Sequence, residues 1–329
     1  MSGVRFINNI NARLISLLLL LPLVVCACTR KEEFGIPYGI SQESRGFSEN
    51  DVVSFFSENL CVAGDDVNNT DGLFTEKESA ALFDLRHGEV VYAHRMHARM
   101  DPASMTKVLT ALVAVELAPL DTMLTCNDKN YVSESGAQLL DMEQGEKMTL
   151  EQALHYLLVF SANDVAVMIA DNLCDSVDAF IEKMNEKAVS LGATASHFEN
   201  PHGLTDSGQY VTAYDMYLLF QAAMAHDELR TIVAQSSYNT VYYRSDGTEK
   251  EAEVNTTNAF IRENSSFTAP EGITVIGGKT GSTYAAGECI VLLLENENGD
   301  AFIAVCMHAA DTNTLYRKVT ALMQYAKTH

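Results

Sequence analysis

Three short strings, Ser104-Met-Thr-Lys107, Ser161-Ala-Asn163 and Lys279-Thr280-Gly281, stand in that order along a chain of 329 residues. Each pairs a hydroxyl with a side-chain nitrogen, and each falls in a different local context: a helix start, a junction between helices and a strand. A fold that uses them together must bring all three to one cleft, which requires helices packed on a sheet and excludes an all-helical or all-strand body. The S-x-x-K and K-T-G patterns each occur once, whereas S-x-N recurs at Ser48-Asn50, Ser57-Asn59 and Ser237-Asn239. Order and context must therefore select the set.

Asp101-Pro102-Ala103 reads as a turn. An apolar run with helical spacing follows it: Met105, Val108, Leu109, Leu112, Val113 and Leu117, ending before Pro119. Serine at the head of such a helix is an ordinary cap, but Lys107 is harder to explain. It lies on the same face as Ser104, and the helix dipole disfavours a cation in the first turn. An amine placed there against stability, within reach of a hydroxyl, points to chemistry. The second string lies between two helical stretches. Thr149-Leu150-Glu151-Gln152 opens one as a capping segment, with Leu150, Leu154, Leu157 and Leu158 on its apolar side; the other runs from Val165 to about Leu173. A Ser/Asn cap would account for this junction by itself. The third string continues a strand, from Gly272 to Ile276 through Gly277-Gly278 into Lys279-Thr280-Gly281-Ser282-Thr283. Glycines there let another backbone come close.

Two hairpins are expected, one with strands at 80–84 and 89–92 around Arg86-His87-Gly88, the other at 289–294 and 301–307 around Asn298-Gly299. Residues 314–326 read as a closing helix with Leu315, Val319, Leu322 and Met323 inward. First and last elements then build one antiparallel sheet flanked by helices. The middle, about 117–234, reads as a mainly helical subdomain, so the class is α/β (α+β).

Taken together, these blocks resemble the serine D-alanyl-D-alanine carboxypeptidases of peptidase family S11, the low-molecular-mass penicillin-binding proteins. Asp101 to Ala111 is similar to that family's nucleophile segment, and Gly145-Glu146 with Leu150 to Asp164 to its second block. Asn200-Pro201-His202-Gly203-Leu204, with Tyr210 to Asp215, resembles a further block, and Lys279 to Thr283 with Ala286-Gly287 the last. The similarity covers about residues 78–307.

The resemblance implies a β-lactamase/transpeptidase-like fold and an acyl-enzyme mechanism. Ser104 would attack the carbonyl between the two terminal D-alanines of a peptidoglycan stem peptide, with Lys107 as base. A lysine is ordinarily protonated at neutral pH, so this role requires burial and a nearby positive charge, which Lys279 could supply. Ser161 would pass protons to the leaving amine, and Asn163 would hold the substrate amide. Lys279 and Thr280 would bind the terminal carboxylate, Gly281 giving room, and the backbone N–H groups of Ser104 and Ser282 would form the oxyanion hole. β-Lactams would acylate Ser104 as covalent inhibitors. No cofactor or metal is called for.

A β-lactamase shares all three strings. Class A enzymes add a glutamate that activates water; here the region around Glu199 matches the carboxypeptidase block, and Glu199 reads as a surface charge. An alternative of another class is a catalytically idle wall-binding or β-lactam-sensing lipoprotein, against which the joint presence of Ser104, Lys107 and Lys279 argues.

Arg5 and Arg13 precede an apolar run from Leu14 to Val25, the size of a signal-peptide core and short for a membrane span. Val25-Cys26-Ala27-Cys28 resembles a lipoprotein cleavage box, which makes Cys28 the expected lipidated first residue after a 1–27 signal and the membrane a partner through that lipid. The expected layout continues with a tether and N-terminal segment at 28–72 and a catalytic domain at 73–329. About fifty residues follow Lys279 and are used by sheet and helix, so no β-rich C-terminal domain is expected. The formal charge of −22 argues against nucleic acid as a partner. Cys61, Cys126, Cys174, Cys289 and Cys306 show no C-x-x-C spacing and give no disulfide framework or zinc site. Cys289 and Cys306 read as small core residues. His94 and His97, a lone H-x-x-H beside a strand, read as surface or packing residues rather than metal ligands, and His202 as a candidate support for the cleft.

Overall fold

Ile290 to Leu294 and Phe302 to Met307 are apolar at almost every position, the pattern of strands covered on both faces. The computed structural model describes residues 60–327 except 71, 128–131, 133 and 135, and shows such a sheet. The 1–27 segment, Cys28, and the S-x-N patterns at Ser48 and Ser57 lie outside the described residues.

Five antiparallel strands, β1 (Ser79–Asp84), β2 (Glu89–His94), β7 (Ile273–Thr283), β8 (Gly287–Asn296) and β9 (Ala301–Ala309), run in the order β2-β1-β9-β8-β7. The first turn is built by Asp84, whose carboxylate accepts the N–H groups of Arg86 and His87, and by Gly88 at φ 69°. In the β8–β9 turn Asn296 Oδ1 accepts from Asn298 and Asp300 N. Both hairpins thus stand where the turn residues put them.

The terminal helix α7 (Thr312–Ala326) covers one face with Leu315, Val319, Leu322 and Met323, all essentially unexposed, against Leu82, Ile290, Leu292, Phe302 and Ala304. Burying side chains of this size contributes about 1.5–3 kcal/mol each. The other face carries Ala81, Phe83, Val291, Ile303 and Val305 into the main core. That core is built on α1 (Thr106–Leu117), which packs against α3 (Asn163–Leu173), α4 (Val177–Ser190) and α5 (Ala213–Met224). Helix α2 (Leu150–His155) opens with the expected capping box, Thr149 and Gln152 exchanging bonds. It runs into a wide π turn at Tyr156–Phe160. Helix α6 (Asp227–Val233) packs behind β7.

The middle of the chain differs from the helical expectation. A second sheet, β3 (Met123–Thr125), β4 (Lys147–Thr149), β5 (Ser237–Tyr243) and β6 (Glu249–Asn255), takes two of its strands from within 117–234. Three-residue strands such as β3 and β4 carry no readable periodicity, and β6, Glu-Lys-Glu-Ala-Glu-Val-Asn, offers one buried apolar side chain.

The packed body also begins before residue 73. Val67 pairs with Ala93, and buried Cys61 is held by its backbone, its N–H on Tyr217 Oη and its carbonyl on Tyr214 Oη. Cys289 and Cys306 are buried in the sheet, as expected, on opposite faces.

Candidate active site

Ser104 sits in a 3-10 turn, Ala103–Met105, ahead of α1, and its side chain caps nothing: neither the turn nor the helix has a side-chain cap. Its hydroxyl instead meets Lys107 Nζ at 2.9 Å. The turn is pinched from two sides. A Cβ on Gly281 of β7 would lie 2.8 Å from Ser104 N, and one on Gly203 would lie 1.8 Å from Ala103 O. Gly203 also has φ 89°. Only glycine permits both approaches. Ala103 itself is left-handed at φ 46°, a conformation that costs a non-glycine residue roughly 1 kcal/mol and persists where packing enforces it.

Lys107 is fully buried and makes three contacts: Ser104 Oγ, Asn163 Oδ1 at 2.7 Å and the carbonyl of His202 at 2.6 Å. The two amide oxygens can only accept. A neutral amine has two N–H groups, which these oxygens use, and one lone pair, which is left for the Ser104 hydroxyl proton. The electrostatics agree, since burial first and the charge of Lys279 second hold the Lys107 amine well below the usual lysine range.

Lys279 is buried too, and burial takes its amine down to about 7. It donates to Ser161 Oγ at 3.0 Å and to the Thr280 carbonyl at 2.7 Å. The structure thus puts the Thr280 and Ser161 hydroxyls on the cleft wall and the Lys279 amine behind them. Lys279, expected to bind a carboxylate together with Thr280, thus has its amine engaged by Ser161 and by the Thr280 carbonyl. Thr280 Oγ1 also bonds Thr257 Oγ1 at 2.6 Å.

Ser161 follows the π turn in a left-handed conformation, φ 71°, and like Ser104 it caps no helix. Asn163 has both ends engaged, Oδ1 by Lys107 and Nδ2 by the Gln138 carbonyl at 3.0 Å. The second Nδ2 hydrogen takes no partner among the described residues. Ser282, at the rim, bonds Glu288 at 2.8 Å.

The cleft is about 630 Å3 and is lined by Ser104, Ser161, Asn163 and the Thr280–Ser282 stretch together with Gln138, Thr257 and Arg262. All three strings therefore share one pocket. Several contributors left no mark in the sequence. Gln138, Thr257 and Arg262 are among them, while the support expected of His202 comes through its carbonyl, presented by a loop in which Asn200 Oδ1 accepts from Gly203 N and His202 Nδ1 from Leu204 N. Burial and Lys107 push the His202 imidazole down to about 3, so the ring stays neutral and supports the cleft through its backbone. Glu199 is away from the cleft lining and pairs with His197 at 3.1 Å. The rings of His94 and His97 bond the carbonyls of Thr75 and Ala63.

The family model for D-alanyl-D-alanine carboxypeptidases matches residues 68–311. The D-alanyl-D-alanine carboxypeptidase DacF of Bacillus subtilis is 31% identical over 269 residues, covering 80% of this chain, which spans 65% of that relative. DacB2 of Mycobacterium tuberculosis is 33% identical over 63% of this chain and 67% of its own length. The crystal structure of the Streptomyces K15 DD-transpeptidase superposes with a TM-score of 0.67 at 26% identity, over 75% of this chain and 95% of that one. With the family model spanning both walls of the cleft and all three strings, the chain belongs to the D-alanyl-D-alanine carboxypeptidase family of serine peptidases, S11.

Proposed function

We propose that the protein is a serine D-Ala-D-Ala carboxypeptidase of the bacterial cell envelope, removing the terminal D-alanine from peptidoglycan stem peptides and acylated by penicillin. The observation that carries this reading is the Lys107 amine, 2.9 Å from Ser104 Oγ, with its two N–H groups held by fixed carbonyl oxygens. In acylation the Ser104 oxygen bonds the penultimate carbonyl carbon while its proton passes to Lys107 Nζ. The tetrahedral oxyanion is met by the backbone N–H groups of Ser104 and Ser282. The C–N bond then breaks, and Ser161, between cleft and Lys279, gives its proton to the departing D-alanine nitrogen and regains one from the Lys107 ammonium, which returns Lys107 to the neutral amine. Water attacks the ester, giving up a proton to the neutral Lys107 amine, and as the bond from the acyl carbon to Ser104 Oγ breaks that proton returns to the serine oxygen and the shortened peptide leaves.

The test is mass spectrometry of a stem pentapeptide incubated with the protein, expected to show loss of one alanine. Rapid penicillin turnover with no alanine release would make the protein a β-lactamase; labelled-penicillin binding without either reaction would leave the idle sensor.

The charge on Lys279 sets an expected pH profile. Lys107 works unprotonated and Lys279 protonated, so kcat/KM rises with pH as Lys107 loses its proton and falls as pH passes through about 7, where Lys279 loses its own. A bound carboxylate favours the Lys279 ammonium, so the falling limb of kcat lies at higher pH than that of kcat/KM. A kcat/KM that climbs steadily to about pH 9 would show that the Lys279 charge is not needed.

For export, the reading is a lipoprotein signal at 1–27 and a lipid on Cys28, supported by Arg5, Arg13, the short apolar run and the Cys28 box. Among the described residues no helix is long and apolar enough to cross a membrane. The catalytic unit would follow a tether beginning at Cys28.

A further inference from the structure

Asp164 follows the second string and is buried, yet it makes no ion pair among the described residues. Among the described residues its carboxylate accepts only backbone N–H groups: Leu140 at 3.0 Å and Val165 at 3.0 Å on Oδ1, and Met142 at 3.2 Å on Oδ2. Two of these belong to a segment with no helix or strand bonds of its own. The same segment meets the cleft through Gln138, whose carbonyl accepts both Asn163 N at 2.8 Å and Asn163 Nδ2 at 3.0 Å.

These bonds decide how the Asn163 amide faces Lys107. With Nδ2 on the Gln138 carbonyl, Oδ1 points to the amine and accepts from it. Were the 138–142 segment to drift, the amide could turn over and present an N–H to Lys107. A neutral amine could answer that donor only with its lone pair, the same lone pair that takes the Ser104 proton. We propose that Asp164 is a positioning residue for acylation: by gripping Leu140 and Met142 it holds Gln138 against Asn163 and keeps the Lys107 lone pair open to Ser104. This rests on Lys107 being the base.

The carboxylate has a second effect that a purely structural anchor lacks. The charged and titratable groups facing Lys107 are Lys279 from β7, Asp164 from α3 and His202 from the 200–204 loop. Lys279 disfavours the Lys107 ammonium, His202 stays neutral, and Asp164 favours the ammonium. Away from Lys107, the Asp164 charge acts on Cys126 and Tyr242, which the Glu146–Lys250 pair also reaches, and none of these four is bonded to the amine.

Asp164→Asn keeps the volume but replaces one accepting oxygen with an amide that opposes a backbone donor. Expected are a kcat/KM and a labelled-penicillin acylation rate lower by roughly tenfold to a hundredfold, with the acid limb of the pH profile moved to lower pH because the charge favouring the ammonium is gone. Asp164→Ser, smaller and able to keep one bond, should show the same limb shift. Unchanged rates, or a fall with the limb unmoved, would reduce Asp164 to a fold anchor and overturn the proposal. Hydrogen exchange on the unmodified full-length protein needs no variant to fold: Leu140 and Met142 amides should be protected as α3 is, and exchange at free-peptide rates would defeat the grip. Were Lys107→Met to acylate normally, the base assignment would fail instead, and the exchange result would still report the grip separately.

Discussion

Ser104→Ala abolishes covalent capture of labelled penicillin and lowers release of D-alanine from a pentapeptide by on the order of 10^4-fold or more, with little change in melting temperature. The size follows from what is removed. An acyl-enzyme cannot form without the oxygen, and what remains is oxyanion stabilisation and binding alone. The small effect on stability follows from the local structure. Ser104 caps no helix, its hydroxyl bonds Lys107 alone among the described residues, and it is half-buried at the cleft. Deleting the hydroxyl leaves Lys107 its two carbonyl acceptors and leaves the Gly203–Ala103–Gly281 contacts intact. A large fall in melting temperature would mean that the turn depends on Ser104 for its structure. Residual penicillin capture by the variant would mean that another nucleophile lies in the cleft.

The parts of this site legible in the sequence are those carried by side chains in fixed local contexts. Lys107 in the first turn of α1 stands against the helix dipole, and its reason proved to be its contact with Ser104 and two carbonyls. The capping box at Thr149, the hairpin turns and the inward face of α7 follow from short-range patterns and stand where those patterns put them. The bond from Lys107 to a backbone carbonyl was not legible. The His202 carbonyl is presented by the conformation of a loop, and any residue there would supply the same oxygen. Nor does a sequence show that Lys279 ends behind the cleft wall, since full burial of a lysine depends on how Ser161 and Thr280 close over it. The two bland alternatives, Ser104 and Ser161 as plain helix caps, fail because α1 and α3 each start after the serine and take no bond from it.

Lys107→Met slows acylation by penicillin and by peptide roughly 10^2- to 10^4-fold, the range a general base contributes, while equilibrium binding of the peptide changes much less. Methionine has nearly the shape of lysine and can occupy the buried slot, but it neither takes a proton nor donates to the two oxygens. Two opposing effects then set the stability. The His202 carbonyl and Asn163 Oδ1 lose a buried donor, at a cost of about 1–3 kcal/mol for each group left unpaired. Against this, folding no longer desolvates an amine. Linkage gives the sign. Lys107 has its proton affinity lowered in the fold, so the unfolded chain binds the proton more tightly, and native stability is reduced at every pH below the usual lysine range. The variant is therefore expected to be relatively more stable in acid and to show a flatter dependence of stability on pH than the native protein. Lys107→Arg separates the base from the donor. Its guanidinium can bond the same carbonyls but cannot shed its proton under protein conditions, so acylation should be as slow as in the methionine variant. Near-native acylation by the arginine variant would mean that position 107 acts by donating hydrogen bonds, and that Ser104 loses its proton elsewhere. Rates that return when a small neutral amine is added to Lys107→Ala, rising with the free-base concentration, would place the missing proton acceptor in the cavity that the side chain vacates.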